Sequence, residues 1–209
     1  LTDAAGKQVE FDYPLAVGAV VEYAGKANIK GNGALLDFTS GGKLYLNGGI
    51  TSLPTLGADI AKDSRAVVFS ANHGLAAGDV FCVYNNDDYS FSAHRANYHD
   101  GDWMKVQSVT SLTAVAIYNK APDAYLAAKM TCGRMNGAGV KLDSVLVKSA
   151  PGAVDPIEIK LHQGVKVLNS ESIGATSPTT PTAKRGILLN QVYQFVVTGF
   201  TANITEGTN

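Results

Sequence analysis

The runs Gly139-Val140-Lys141-Leu142-Asp143-Ser144-Val145-Leu146-Val147, Ile157-Glu158-Ile159-Lys160-Leu161 and Val165-Lys166-Val167-Leu168-Asn169-Ser170 decide how this chain folds. Apolar and polar residues alternate within each run, as a strand with one buried face requires. No 3.6-residue apolar stripe lasts more than two turns, so helices are not expected. From Val145 to Lys166 is 21 positions and from Ile157 to Ile187 is 30, against roughly 20–30 residues for one coil of a β-solenoid. The excess in the second spacing fits the Ser/Thr/Pro stretch Gly174 to Thr182 bulging out as a loop. In such a coil each strand stacks on its equivalent in the next. Parallel hydrogen bonds then satisfy the backbone, and one apolar row per strand fills the centre.

The style recurs upstream. Ala19-Val20-Val21-Glu22-Tyr23, Ala34-Leu35-Leu36-Asp37-Phe38 and Lys43-Leu44-Tyr45-Leu46 are separated by Gly/Asn corners such as Asn47-Gly48-Gly49. The middle of the chain differs. Ala66-Val67-Val68-Phe69, Asp79 to Tyr84, Met104 to Val109 and Thr113 to Tyr118 read as antiparallel strands joined by tight turns. The expected organisation is first coils over residues 1–65, an inserted antiparallel β module over 66–134 and further coils over 135–209, with both ends cut. Insertion between coils is tolerated because extra loop length costs little entropy.

Composition agrees with an all-β chain and narrows its function. The 209 residues (21.8 kDa) carry 17 basic and 18 acidic side chains, a formal charge of -1. No dense Lys/Arg face is present for nucleic acid. The longest apolar stretch, around Leu15 to Val21, is far too short to span a bilayer, so membrane insertion is not expected. No signal peptide is visible. Cys82 and Cys132 lie in apolar contexts and read as buried thiols rather than a disulfide or metal ligands. His94 and His99 stand five apart, while His73 and His162 stand alone. No metal site and no cofactor follow from that spacing.

Ile29-Lys30-Gly31-Asn32-Gly33-Ala34 resembles the turn that opens the pectate-lyase-like right-handed parallel β-helix. The middle zone resembles an insert of bacteriophage tailspikes of that superfamily. Its marks are His73-Gly74-Leu75, Gly78-Asp79, Gly101-Asp102 with Val106 and Val109, and a closing segment at Tyr125. Asp102 stands where related sequences more often carry Glu. The resemblance implies β-helix (solenoid) coils with an inserted antiparallel module, in a homotrimeric receptor-binding protein of the phage tail. It also implies binding and depolymerisation of bacterial surface polysaccharide (capsule, exopolysaccharide or O-antigen) by a hydrolase or lyase. Its partners would be that polysaccharide, further copies of the chain and tail or baseplate proteins. A non-catalytic fibre or structural adaptor, and a secreted bacterial lyase or adhesin, are the alternatives.

Hydrolysing a glycosidic bond needs two carboxylates roughly 5–5.5 Å apart for retention or 6.5–9.5 Å for inversion. A lyase needs a base beside a uronate and a cation to stabilise the resulting charge. Asp155, Glu158 and Glu171 are the in-chain candidates, although the catalytic pair is expected outside this chain or shared between subunits. Alternation puts Glu158 and Lys160 on an outward face, whose plainer reading is a solvated charge pattern. Trp103 with Tyr98, and Arg185 beside the Thr/Pro loop, are the carbohydrate-binding candidates. Asp87-Asp88-Tyr89 reads as a polar turn, and His94 with Arg95 has no evident partner. His73, Gly74 and Asp79 read as turn chemistry.

Overall fold

A computed structural model of the chain describes residues 8–10, 12–16, 21–23, 27–85, 87, 99–149, 155–174 and 186–204. Among these the regular elements are β-strands, apart from one 3₁₀ turn at Ala127–Lys129. The chain forms two compact units, one of Leu1–Gly49 with Asn136–Asn209 and one of Ile50–Met135. The strands are β1 (Gln8–Glu10), β2 (Leu15–Ala16), β3 (Val21–Tyr23), β4 (Asn28–Lys30), β5 (Leu35–Asp37) and β6 (Leu44–Asn47). The second unit contains β7 (Ile50–Ser52), β8 (Ala66–Val68), β9 (Val80–Asn85), β10 (Gly101–Ser111), β11 (Ala114–Ile117) and β12 (Met130–Met135). The first unit resumes with β13 (Gly137–Ala138), β14 (Lys141–Asp143), β15 (Leu146–Lys148), β16 (Ile157–Lys160) and β17 (His162–Leu168). It ends with β18 (Glu171–Gly174), β19 (Ile187–Asn190), β20 (Tyr193–Thr198) and β21 (Thr201–Ile204).

In the first unit each circuit of the chain lays one strand in each of three parallel sheets. The first sheet stacks β1, β4, β14, β17 and β20, with β13 beside β17. The second stacks β2, β5, β15, β18 and β21, and the third β3, β6, β16 and β19. Registers carry one apolar row through each sheet. Ile29 is level with Leu142, Val167 and Val197, while Leu44 is level with Ile157 and Ile187. Ile29, Leu142, Val167, Leu44 and Ile157, with Leu36, Phe38, Leu46, Val147 and Ile159, are the core of the unit; Ile187 packs against it, whereas Val197 is exposed.

The spacing from Ile157 to Ile187 is a true register. That from Val145 to Lys166 is not, because Lys166 lies opposite Lys141. β17 runs on past β13 before it meets β14, which lengthens this circuit. Val145 is instead level with Ser170, whose Oγ accepts its N–H at 3.2 Å.

Left-handed residues turn the corners. Ser144 (φ 54°), Asn169 (φ 46°) and Gly199 (φ 64°) each follow a first-sheet strand, and Leu161 (φ 55°) and Gln191 (φ 53°) each precede one. A non-glycine residue costs roughly 1–2 kcal/mol there, so the strain is carried by packing of the stacked strands. The Gly-x-Gly corner has a steric cause. A β-carbon on Gly31 would overlap the Ser144 carbonyl oxygen and stand 2.8 Å from the Val145 Cα.

The chain leaves this unit after Gly49 and rejoins it at Asn136, whose N–H donates to the Gly49 carbonyl at 3.1 Å. Next to that junction His162 is wholly buried, in register with Gly137. A β-carbon on Gly137 would stand 2.5 Å from the His162 Nδ1 and overlap the Leu161 carbonyl oxygen. Among the described residues neither ring nitrogen of His162 has a hydrogen-bond partner. Burial pushes its pKa down to about 4, so the ring is neutral.

The second unit is one antiparallel sheet in the order β7-β12-β9-β10-β11-β8. β10 pairs with β9 through its first half and with β11 through its second, with register shifts at Val106/Ser108 and Val109/Ser111. Such bulges bend a long strand and let it serve two partners. The unit opens at Ile50 and not at Ala66. β7 pairs with Gly133–Met135, and Leu56 and Ile60 are buried in the core with Phe69, Phe81, Val106, Ile117 and Tyr125. Residues 50–65 contain few alternating positions, so their attachment is set by tertiary packing. Cys82 and Cys132 are both buried free thiols. Burial, with a smaller contribution from Cys82, pushes the Cys132 thiol up to about 12.

Candidate functional site

β16 buries Ile157 and Ile159 and turns Glu158 and Lys160 outward, as its alternation dictates. Stacking places Glu158 between Tyr45 and Leu188, and Lys160 between Asn47 and Asn190. Glu158 does not stand as an open carboxylate. The Lys43 Nζ donates to its Oε2, and the Glu158 side chain is only 13% exposed. The same ammonium lies 4.8 Å from the centre of the Tyr45 ring, a cation–π distance. The third sheet therefore presents a neutralised acid, an amine, a phenol and amides in two rows, repeated at roughly 4.8 Å between strands. Such rows can hydrogen-bond the hydroxyls of an extended sugar chain while an aromatic ring meets its C–H face.

Asp155 precedes β16 and is half-buried. Glu171 opens β18 in the second sheet, level with Leu146 and Thr201. Glu158 and Glu171 thus belong to different sheets, and the charge of Glu158 is met by Lys43 rather than shared with a second acid. Lys43 and Tyr45 escaped the sequence reading because they lie one circuit and an entire second unit away from Glu158 in the chain. The signal that locates them is the match of Leu44-Tyr45-Leu46 to Ile157-Glu158-Ile159.

In the second unit Trp103 is half-buried on β10, directly across from Cys82 on β9. His99 packs edge-on against Tyr84, with ring centres 6.1 Å apart, and its Nδ1 bonds the Asn85 carbonyl at 2.9 Å. Tyr98 and Arg185 lie outside the described residues, as do Asp88, Tyr89, His94 and Arg95. Asp87 is ion-paired with Lys129 at 3.1 Å. Asp102 accepts a hydrogen bond from the hydroxyl of buried Tyr125. Burial first, then that carboxylate, raises the phenol pKa, so Tyr125 is a fixed donor. Asp79 Oδ2 accepts the Ala76 N–H at 2.9 Å, which closes the turn into β9. No group of three or more His, Cys, Asp or Glu among the described residues could hold a metal ion. No helix among them is long and apolar enough to cross a membrane.

Residues 45–132 match the family described as tailspike protein-like, Ig-like domain. No curated protein matches the chain. Among solved structures it is similar to the tailspike gp49 from Pseudomonas phage LKA1, with TM-score 0.69 and 19% identity over 93% of this chain and 38% of that one. The tailspike gp61 of Pseudomonas phage phi297 gives TM-score 0.64 and 20% identity over 92% and 38%. The Gp54 tailspike of Acinetobacter baumannii bacteriophage AP22, in complex with A. baumannii capsular saccharide, gives 0.62 and 21% over 96% and 31%. The chain spans between 31% and 38% of the length of these proteins, and at this identity the likeness speaks to the fold. Residues 45–132 thus match the tailspike Ig-like family model, and over nearly the whole chain the fold is similar to that of bacteriophage tailspikes.

Proposed function

We propose that this chain is part of a bacteriophage tailspike that binds bacterial surface polysaccharide at the outside of the host cell. The observation that supports this best is the interrupted stack. Parallel rows of the first unit resume in register across an insertion of the tailspike Ig-like family. A tailspike of the same fold is known in complex with a capsular saccharide. The first unit is read as coils of a right-handed parallel β-helix, the assembly as a homotrimer fixed to the phage tail. Closed cyclic symmetry suits a thin stack, because the subunits cover one another's apolar flanks.

The full-length protein depolymerises the polysaccharide it binds. In this reading the outward rows around Tyr45, Lys160 and Asn190 hold the sugar chain by hydrogen bonds and ring contact. Glu158, neutralised by Lys43, positions that surface. The carboxylate pair that breaks the bond belongs to coils beyond this chain or to a neighbouring subunit. The test is incubation of the full-length protein with host capsule or lipopolysaccharide. New reducing ends identify a hydrolase and unsaturated uronates a lyase. Binding without either product makes the protein a passive fibre, and absence of binding overturns the proposal.

A further inference from the structure

A hollow of about 370 Å³ opens on the second unit, within the volume of ordinary small-ligand sites. Its one charged lining residue is Arg134. The backbone of β12 fixes this residue between Thr51 and Phe81, and its side chain is half-buried. Lys30, Lys43, Lys62, Lys120, Lys129 and Lys141 each meet a carboxylate. Arg134 meets none among the described residues, and no Asp or Glu lines the hollow.

The remaining lining is biased toward donors. Thr51 and Ser52 supply hydroxyls. The Asn72 Oδ1 accepts the Gly74 N–H at 3.1 Å, which leaves its amide hydrogens as donors. His73 adds no charge. Its Nδ1 accepts the Leu75 N–H at 2.9 Å, so its Nε2–H is the donor to the Ser111 carbonyl at 3.2 Å. Leu53 and Pro54 supply apolar surface for the C–H face of a ring. A planar five-donor fork, further donors, an apolar wall and no acid together match a carboxylate carried on a hydroxylated ring.

We infer that this hollow binds the carboxylate-bearing residue of an acidic polysaccharide, with the Arg134 guanidinium as its anion partner. The choice of a sugar acid over other carboxylates rests on the proposed polysaccharide binding, whereas the anion site itself does not.

The test uses the whole chain and titration calorimetry with three probes: trigalacturonate, neutral galactotriose and inorganic phosphate. Trigalacturonate is expected to bind at least tenfold tighter than either of the others. Arg134→Gln should weaken it about tenfold, the loss of one charge-assisted pair at a partly exposed site, and Arg134→Lys by less. Asn72→Asp keeps the acceptor for the Gly74 N–H, so the turn survives, but sets a like charge in the hollow. It should weaken binding at least as much, with unfolding temperature checked for each variant. Equal affinity for the neutral trimer, phosphate binding as tight as trigalacturonate, or unchanged affinity in both Arg134→Gln and Asn72→Asp overturns the site. If full-length tailspike fails to bind host polysaccharide while Arg134-dependent trigalacturonate binding persists, the proposed function falls and this site stands.

Discussion

Acidification isolates the energetic role of His162. The side chain is wholly buried, neither ring nitrogen has a partner among the described residues, and its pKa is pushed down to about 4. In the unfolded chain the same ring titrates near 6.5. Between those values the unfolded state binds the proton and the folded state does not, so stability falls as pH falls from about 6.5 to about 4. One pKa unit is about 1.4 kcal/mol, so the full loss is about 3 kcal/mol, with about 2 kcal/mol of it between pH 7.5 and pH 5. His162→Met removes the titration, suits an irregular buried site and leaves no unpaired nitrogen. Urea unfolding of both proteins at pH 7.5 and pH 5 gives a double difference in which the other histidines and the carboxylates cancel. The variant is expected to lose about 2 kcal/mol less than the parent over that interval. Equal losses, or an imidazole resonance of folded His162 that titrates above pH 6, refute the reasoning.

Gly137→Ala places a methyl group against the backbone carbonyl of Leu161, whose N–H donates to the Asn190 carbonyl, and against the ring of wholly buried His162. It should destabilise the chain by about 3 kcal/mol or more in urea unfolding, because backbone cannot yield as a side-chain end can. Glu158→Gln leaves Lys43 without its acid at a partly buried site and should cost about 1–2 kcal/mol. In the full-length protein it should weaken the proposed polysaccharide binding at the surface Glu158 positions, with turnover at saturating polysaccharide falling less than tenfold, and a thousandfold drop would make Glu158 catalytic. Cys82 and Cys132 should resist iodoacetamide at pH 8 in the folded chain and react as two thiols in urea, since burial raises both. Replacing Ile50–Met135 by a tight turn should leave the first unit folded with cooperative unfolding, because the Asn136 N–H already reaches the Gly49 carbonyl at 3.1 Å. An aggregated or non-cooperative product would show that the second unit carries the folding of the first.

What was legible in the sequence is what repeats along it. Ile157-Glu158-Ile159 and Ile187-Leu188-Leu189 announce one register, because a stacked strand must present its apolar positions to the same column as its neighbour. The Gly-x-Gly corner was legible for a related reason, since backbone of the next circuit leaves no room for a side chain at Gly31. The register of Val145 is hidden from the sequence because β17 meets two partners in succession, and alternation reports which face a residue takes but not how long the strand runs. The start of the second unit is not legible because Ile50–Ser52 is short, carries exposed side chains and is recruited by β12 from the far end of the unit. Lys43 and Arg134 belong to the same class. Neither sits in a motif, and each acquires its meaning from a strand that lies far away in the chain.

The position of the insertion follows from the same physics. Each parallel row needs its next strand at a set height, and any excursion is tolerated if its ends return to neighbouring hydrogen-bonding positions. Gly49 and Asn136 do so, and beyond them Leu44 meets Ile157 and Ile29 meets Leu142 as if the intervening residues were absent. Closing a longer loop adds entropy cost only logarithmically. The inserted residues offset their own ordering with a separate core of Phe69, Phe81, Val106 and Ile117. A corner between circuits is therefore a point at which a stacked fold can acquire a second unit, and with it a separate surface such as the Arg134 hollow, without altering the rows that hold the stack together.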